Sequence, residues 1–165
     1  MFVSSLIEGS QYRDTGLAWV LSQNGEIPAN AVEGGRESNG EPLYIARFVT
    51  KECQLAPGKL ARSHRSAYAS CNGVEQSAQV YQVLTCSNQQ ELKWIPTNGN
   101  NLPTGALQAG GNYQSPLYIG RAPFQGGVCC GKFEPSHGCV YVPWGGKENP
   151  VTNNFEVLCL ARVLE

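Results

Sequence analysis

Residues able to do chemistry recur in this chain as matched sets. Lys59 and Lys132 each follow a glycine, and His64 and His137 each stand five residues further on. Tyr68 and Tyr141 follow the histidines, Glu75 and Glu148 close the stretches "GVE" and "GKE", and Arg47 and Arg121 end "LYIAR" and "LYIGR". Upstream of each set a glycine pair is followed by Glu37 in "GGRE" or by Asn112 in "GGN". A lysine after a tight glycine turn offers three donors on a flexible stem, and a carboxylate or amide from another turn supplies facing acceptors. Such a pair suits a polyhydroxylated ligand, whose hydroxyls donate to the carboxylate while accepting from the ammonium in charge-assisted bonds. The competing reading makes Lys59 and Glu37 an exposed surface pair of little energetic consequence.

Other combinations point to other chemistries. A guanidinium could grip a ligand bidentately, but an arginine on the apolar side of a strand more often pairs internally, which makes Glu75 and Glu148 the expected partners of Arg47 and Arg121. His64 and His137 could act as general bases or metal ligands, yet the flanking serine and glycine place them in loops, exposed or hydrogen-bonded. A thiol enzyme would need Cys71 within reach of His64, but the residue matching Cys71 in the second set is Trp144, so the pairing is not a feature of the unit. Cys129, Cys130, His137 and Cys139 make a poor zinc site, because adjacent cysteines cannot readily both face one tetrahedral ion. No paired carboxylate motif announces a glycosidase. No catalytic residue, metal or cofactor is therefore expected.

The elements that must position these residues read as short strands. Nineteen glycines and ten prolines in 165 residues break the chain into turns, and no long window carries the three-and-four spacing of an amphipathic helix. Period two in "LYIAR" puts Leu43, Ile45 and Arg47 on one face and Tyr44 and Ala46 on the other. "SAYAS", "VYQVL", "CVYVPW" and "FEVLCLARV" pass the same test, and Gly34-Gly35 and Gly110-Gly111 are expected at positive φ or at close backbone approaches. Charged residues make up 15% and the net charge is −1, which leaves no basic stripe for nucleic acid. The opening "MFVSSLIEGSQYRDTG" has no basic n-region, and no apolar stretch is long enough to span a membrane. A cytoplasmic location is expected on that ground, with release by an unconventional route left open. Seven cysteines without a signal favour reduced thiols over a disulfide framework, and Leu164-Glu165 reads as a cloning scar.

Two copies of one unit account for most of the chain. Trp94 follows Trp19 by 75 residues, Pro116 follows Pro42 by 74 and Lys132 follows Lys59 by 73, so few insertions separate the copies. The units run over residues 19–86 and 94–160, after a leading segment 1–18. Neither holds enough strands to cover its own apolar face, so the expected fold is all-β, with the copies packed about a pseudo-two-fold axis as one compact domain, strand exchange between them being open.

The spaced residues of both units ("W", "NG.IP", "GG", "PLYI.R", "PGK", "H", "Y", "GG.E", "Y.VL") resemble the DM-nine repeat, and the tandem arrangement is similar to the small two-repeat invertebrate proteins of that family. The resemblance implies a mannose-specific lectin that needs no metal, a pattern-recognition protein of innate immunity directed at microbial glycans. It also implies that the sugar is held by an acid after the "GG" pair together with the lysine of "PGK". On this chain those are Glu37 and Lys59 in the first repeat, with Glu in place of the family's usual Asp. The second repeat offers Asn112 and Lys132, with Cys130 where "PGK" has proline, so its contact would be neutral and weaker. A homodimer would add avidity. Larger members place such repeats beside pore-forming segments, and membrane insertion by this chain is not expected. The alternatives are a protein-interaction module that binds no sugar and, behind it, the thiol enzyme.

Overall fold

The structure, a computed structural model, describes residues 15–161. Residues 1–14, which hold most of the leading segment, and Leu164-Glu165 lie outside the described residues. The first repeat forms β1 (Leu17–Gln23), β2 (Glu33–Arg36), β3 (Pro42–Val49), β4 (Leu55–Leu60), β5 (Ala67–Cys71), β6 (Val74–Ala78) and β7 (Val80–Cys86). The second forms β8 (Leu92–Thr97), β9 (Gln108–Gly111), β10 (Pro116–Phe124), β11 (Gly127–Glu134), β12 (Cys139–Trp144), β13 (Lys147–Val151) and β14 (Phe155–Leu160). Single turns of 3-10 helix at Arg62–His64, Gln89–Glu91 and Pro135–His137 punctuate an otherwise all-β chain.

Strand order shows the duplication directly. The sheet runs β1-β7-β3-β4-β5-β6-β13-β12-β11-β10-β14-β8, so its second half is the first read backwards with each strand replaced by its counterpart. The halves meet at one β6–β13 pairing, Val74 opposite Lys147. Around it, the Glu75 and Glu148 amides donate to the Gly146 and Gly73 carbonyls, while the Gly73 and Gly146 amides donate to the Glu148 and Glu75 carboxylates at 2.9 Å. Each copy's hairpin is thus tied by the other's glutamate. Further crossing comes from β2, which pairs with β3 of its own copy and touches β11 of the other at Arg36–Val128. Gly35 permits that approach, since a Cβ there would lie 2.0 Å from the Val128 carbonyl, and of the two expected glycine pairs Gly111 has the positive φ, +68°.

Packing joins the copies as well. The larger core cluster combines Ile45 and Leu84 of the first copy with Ile119, Phe133, Val140 and Phe155 of the second, all 2% exposed or less. The expected strand faces are present: Leu43 and Ile45 point inward while Tyr44 is half-buried.

The expected pairing of Arg47 and Arg121 with Glu75 and Glu148 is not what forms. The Arg47 guanidinium carbon lies over Trp19, 3.9 Å from the ring centroid, and the side chain donates to Gln82 Oε1 and to the Ala109 carbonyl of the other copy. Arg121 lies over Trp94 at 4.3 Å and is paired with Glu156 at 2.6 Å. The reason is register: Arg47 stands opposite Gln82 and Arg121 opposite Glu156, whereas Glu75 and Glu148 lie near the centre of the sheet, beyond β4–β5 and β11–β12. Burial lowers the Arg47 pKa to about 10, which leaves it charged at neutral pH.

All seven cysteines are free thiols, and Cys53 alone is exposed. Burial raises the pKa of Cys71, Cys86, Cys139 and Cys159, and pushes Cys129 up to about 11. A thiol reagent applied to native protein is expected to label one cysteine quickly and the rest only on unfolding, a difference that intact mass reads directly. Fast labelling of three or more would show that the strands are not packed as described.

Candidate functional site

The lysine, histidine, tyrosine and glutamate repeated in the two copies line a pair of clefts beside the central junction, one set in each. Lys59 stands on β4 opposite Tyr68 on β5, and Gly58 before it is inside the strand rather than in a turn. Glycine is required there because a Cβ would lie 2.0 Å from the Tyr68 carbonyl; Gly131 meets Tyr141 in the same way at 2.1 Å. Packing so tight draws both lysines inward, to 5% exposure for Lys59 and 2% for Lys132, so neither belongs to a surface pair.

The first cleft, about 350 Å³, brings Glu37, Lys59, His64, Tyr68 and Glu75 together with Trp144 and Gly145 of the second copy. Glu37 opens the turn after β2, its amide donating to the Glu41 carbonyl. Its half-buried carboxylate has no hydrogen-bond or ion-pair partner among the described residues. Lys59 Nζ is 3.9 Å from Glu75 Oε2, at the outer limit of an ion pair. Lys59 and Glu37 both lie close enough to bias the buried Cys129 thiol, the first lowering its pKa and the second raising it. His64 packs edge-on against Tyr68, ring centroids 5.8 Å apart. A buried ammonium and an open carboxylate thus line one cleft.

The second cleft, about 510 Å³, is the two-fold image, with Lys132, His137, Tyr141 and Glu148 in the matching places and Cys71 where the first has Trp144. Its lysine is already satisfied. Lys132 Nζ lies 2.7 Å from Gln54 Oε1 and 2.9 Å from Glu148 Oε2. His137 Nδ1 is 2.8 Å from the Tyr141 hydroxyl, and Glu134 accepts from Ser115 Oγ. Asn112 does not line this cleft. Its Oδ1 accepts from the amides of Gln114 and Ser115, both at 2.9 Å, which closes an Asx turn on itself.

One exchange of residues explains the difference. Gly127 is the counterpart of Gln54, and a Cβ on Gly127 would come within 2.3 Å of the Arg36 carbonyl and 3.0 Å of the Glu37 carbonyl carbon. The bare glycine lets the Arg36–Glu37 segment settle over it, which puts Glu37 on the wall of the Lys59 cleft. At the other end Gln54 fills the equivalent space and hands its own oxygen to Lys132. Sequence reading found Glu37, Lys59 and Lys132 but missed Gln54 and Trp144, because each is supplied across the two-fold by the other copy, and missed Glu134, whose counterpart Ala61 carries no charge to mark the position; Trp144 standing against Cys71 was the one visible signal.

A larger cavity, about 700 Å³, lies elsewhere, between β2 and the β10–β14–β8 end of the sheet. Its charged groups already answer one another, Arg121 with Glu156 and Arg36 with Glu33 at 3.1 Å. Cys71 and His64 line different clefts, so the pairing a thiol enzyme would need is not assembled.

The family profile described as the DM9 repeat matches residues 6–75, 49–151 and 111–164. The chain belongs to the DM9 repeat family. Natterin-4 of Thalassophryne nattereri is 28% identical over 133 residues, which is 80% of this chain and 31% of that protein. Among solved structures, the nematode sperm cell motility protein MFP2B aligns over 94% of this DM9 chain and 49% of its own, with a TM-score of 0.67 at 14% identity. That likeness concerns the fold. The DM9 chain described here therefore spans about a third and about half of these two relatives.

Proposed function

We propose that this DM9 protein is a mannose-type lectin that recognises microbial-surface glycans without a metal ion, and that it is not an enzyme. The observation that carries the proposal is the open carboxylate of Glu37 lining the same cleft as the Lys59 ammonium, whose contact with Glu75 Oε2 is long at 3.9 Å. Adjacent sugar hydroxyls answer both at once, donating to the carboxylate and accepting from the ammonium. The choice of mannose rests on the resemblance to the two-repeat DM-nine lectins, and the cleft, at about 350 Å³, is roomy enough for one pyranose. Lys132, held by Gln54 and Glu148, offers no comparable vacancy, so one cleft per chain does the binding and a homodimer would present two.

A glycan array on folded protein tests the reading: signal for mannose and its oligomers supports it, and a blank array for every neutral saccharide would sink it. The charge of Lys59 inside an acid-lined cleft disfavours a divalent cation. Mannose affinity is accordingly expected to be unchanged by EDTA, whereas a tenfold loss on chelation would point to a bound ion.

A further inference from the structure

Resting on the carbohydrate reading, a second observation specifies how the sugar is presented. Trp144 ends β12 and is 40% exposed, a large apolar surface left open on the wall of the cleft that holds Glu37 and Lys59. Its indole does not swing free, because the ring packs edge-on against Phe124 at 6.1 Å between centroids. It reaches this cleft from the other copy, carried across the two-fold by the β12–β13 hairpin whose Gly146 amide is held by Glu75. The image position in the closed cleft is Cys71, buried and without a ring. The aromatic wall thus accompanies the open lysine and is missing where the lysine is satisfied internally. A pyranose is two-sided, with hydroxyls around its rim and a C–H face that packs on an aromatic ring, so a wall of charged groups meeting a fixed indole matches both sides.

We propose that Trp144 is the stacking platform of the sugar site, donated by the second repeat, and that it packs against the C–H groups of a bound pyranoside. The site is then a composite of the two repeats. Methyl α-mannoside titrated into wild type, Trp144→Ala and Trp144→Phe, followed by calorimetry and by tryptophan emission, tests it. Wild-type emission is expected to change on saturation, and the change to vanish in both variants, which keep Trp19 and Trp94. The alanine variant should bind roughly tenfold more weakly, and the phenylalanine variant, which keeps a ring against Phe124, within about threefold of wild type. Wild-type affinity in Trp144→Ala, with binding still lost in Glu37→Ala, overturns the platform and leaves the sugar site standing. Failure of wild type to bind any pyranoside in a panel removes the sugar reading and the platform together.

Discussion

Mannose titrated into Glu37→Ala or Lys59→Ala is expected to give affinity lower by one to two orders of magnitude, and no measurable heat at millimolar sugar in the double variant. Each side chain contributes charge-assisted hydrogen bonds worth about 1.5–3 kcal/mol when made to a ligand out of bulk water, and each tenfold in affinity corresponds to about 1.4 kcal/mol. The Glu37 variant separates binding from folding most cleanly, because its carboxylate supports no other described side chain. Lys59→Ala also removes the cation beside Glu75, so Lys59→Arg is the better companion: it keeps the charge but replaces a compact ammonium by a planar fork too large for the same pocket. Binding retained in Glu37→Ala would move the sugar to another surface of the protein.

Lys132→Ala is expected to have the opposite profile, a large loss of stability with sugar affinity within about twofold of wild type. Its ammonium is 3% exposed and its partner Glu148 9% exposed, and Glu148 also caps the Gly73 amide at the junction of the two halves. Removing one member of a buried ion pair strands the other at a cost of about 3–5 kcal/mol. For a chain of this size that corresponds to a melting temperature lower by roughly 6–20 °C. The double variant Lys132→Met with Glu148→Gln should recover much of the loss, since no uncompensated charge remains. A single variant that melts within about 2 °C of wild type would show that the second lysine is not held as the geometry has it.

How much of this was readable from residue order differs by level. Period two in "LYIAR" and the fixed offsets gave the strands, the two copies and their mutual dependence, because local alternation and repetition survive folding unchanged. Partner choice was lost where it depends on register across the sheet: Arg47 and Arg121 meet Gln82 and Glu156, close to the end of each copy, and nothing local to the arginines marks that. Asn112 was placed by aligning one copy on the other, and the alignment is right. Its side chain nevertheless turns back into its own loop, since an asparagine finds nearby amides before it finds a distant lysine. Gly58 was read as a turn residue and proved to be a strand residue under a neighbouring carbonyl. The residue types of the first cleft were therefore legible in Glu37 and Lys59, while Trp144 and Gln54 needed the two-fold axis to be seen.

The reciprocal tie between the hairpins bears on how such a protein can change. Because each cleft borrows a wall from the other copy, a duplicated unit of this kind does not contain one complete cleft per unit; inheritance of the clefts runs crosswise. A mutation at 54 rewrites the pocket around Lys132, and one at 127 rewrites the pocket around Lys59, though each lies in the opposite repeat. Two copies of one unit can thus divide their labour: one cleft keeps an open carboxylate in it, while the other takes the Gln54 side chain against its lysine and becomes a fastening for the whole molecule.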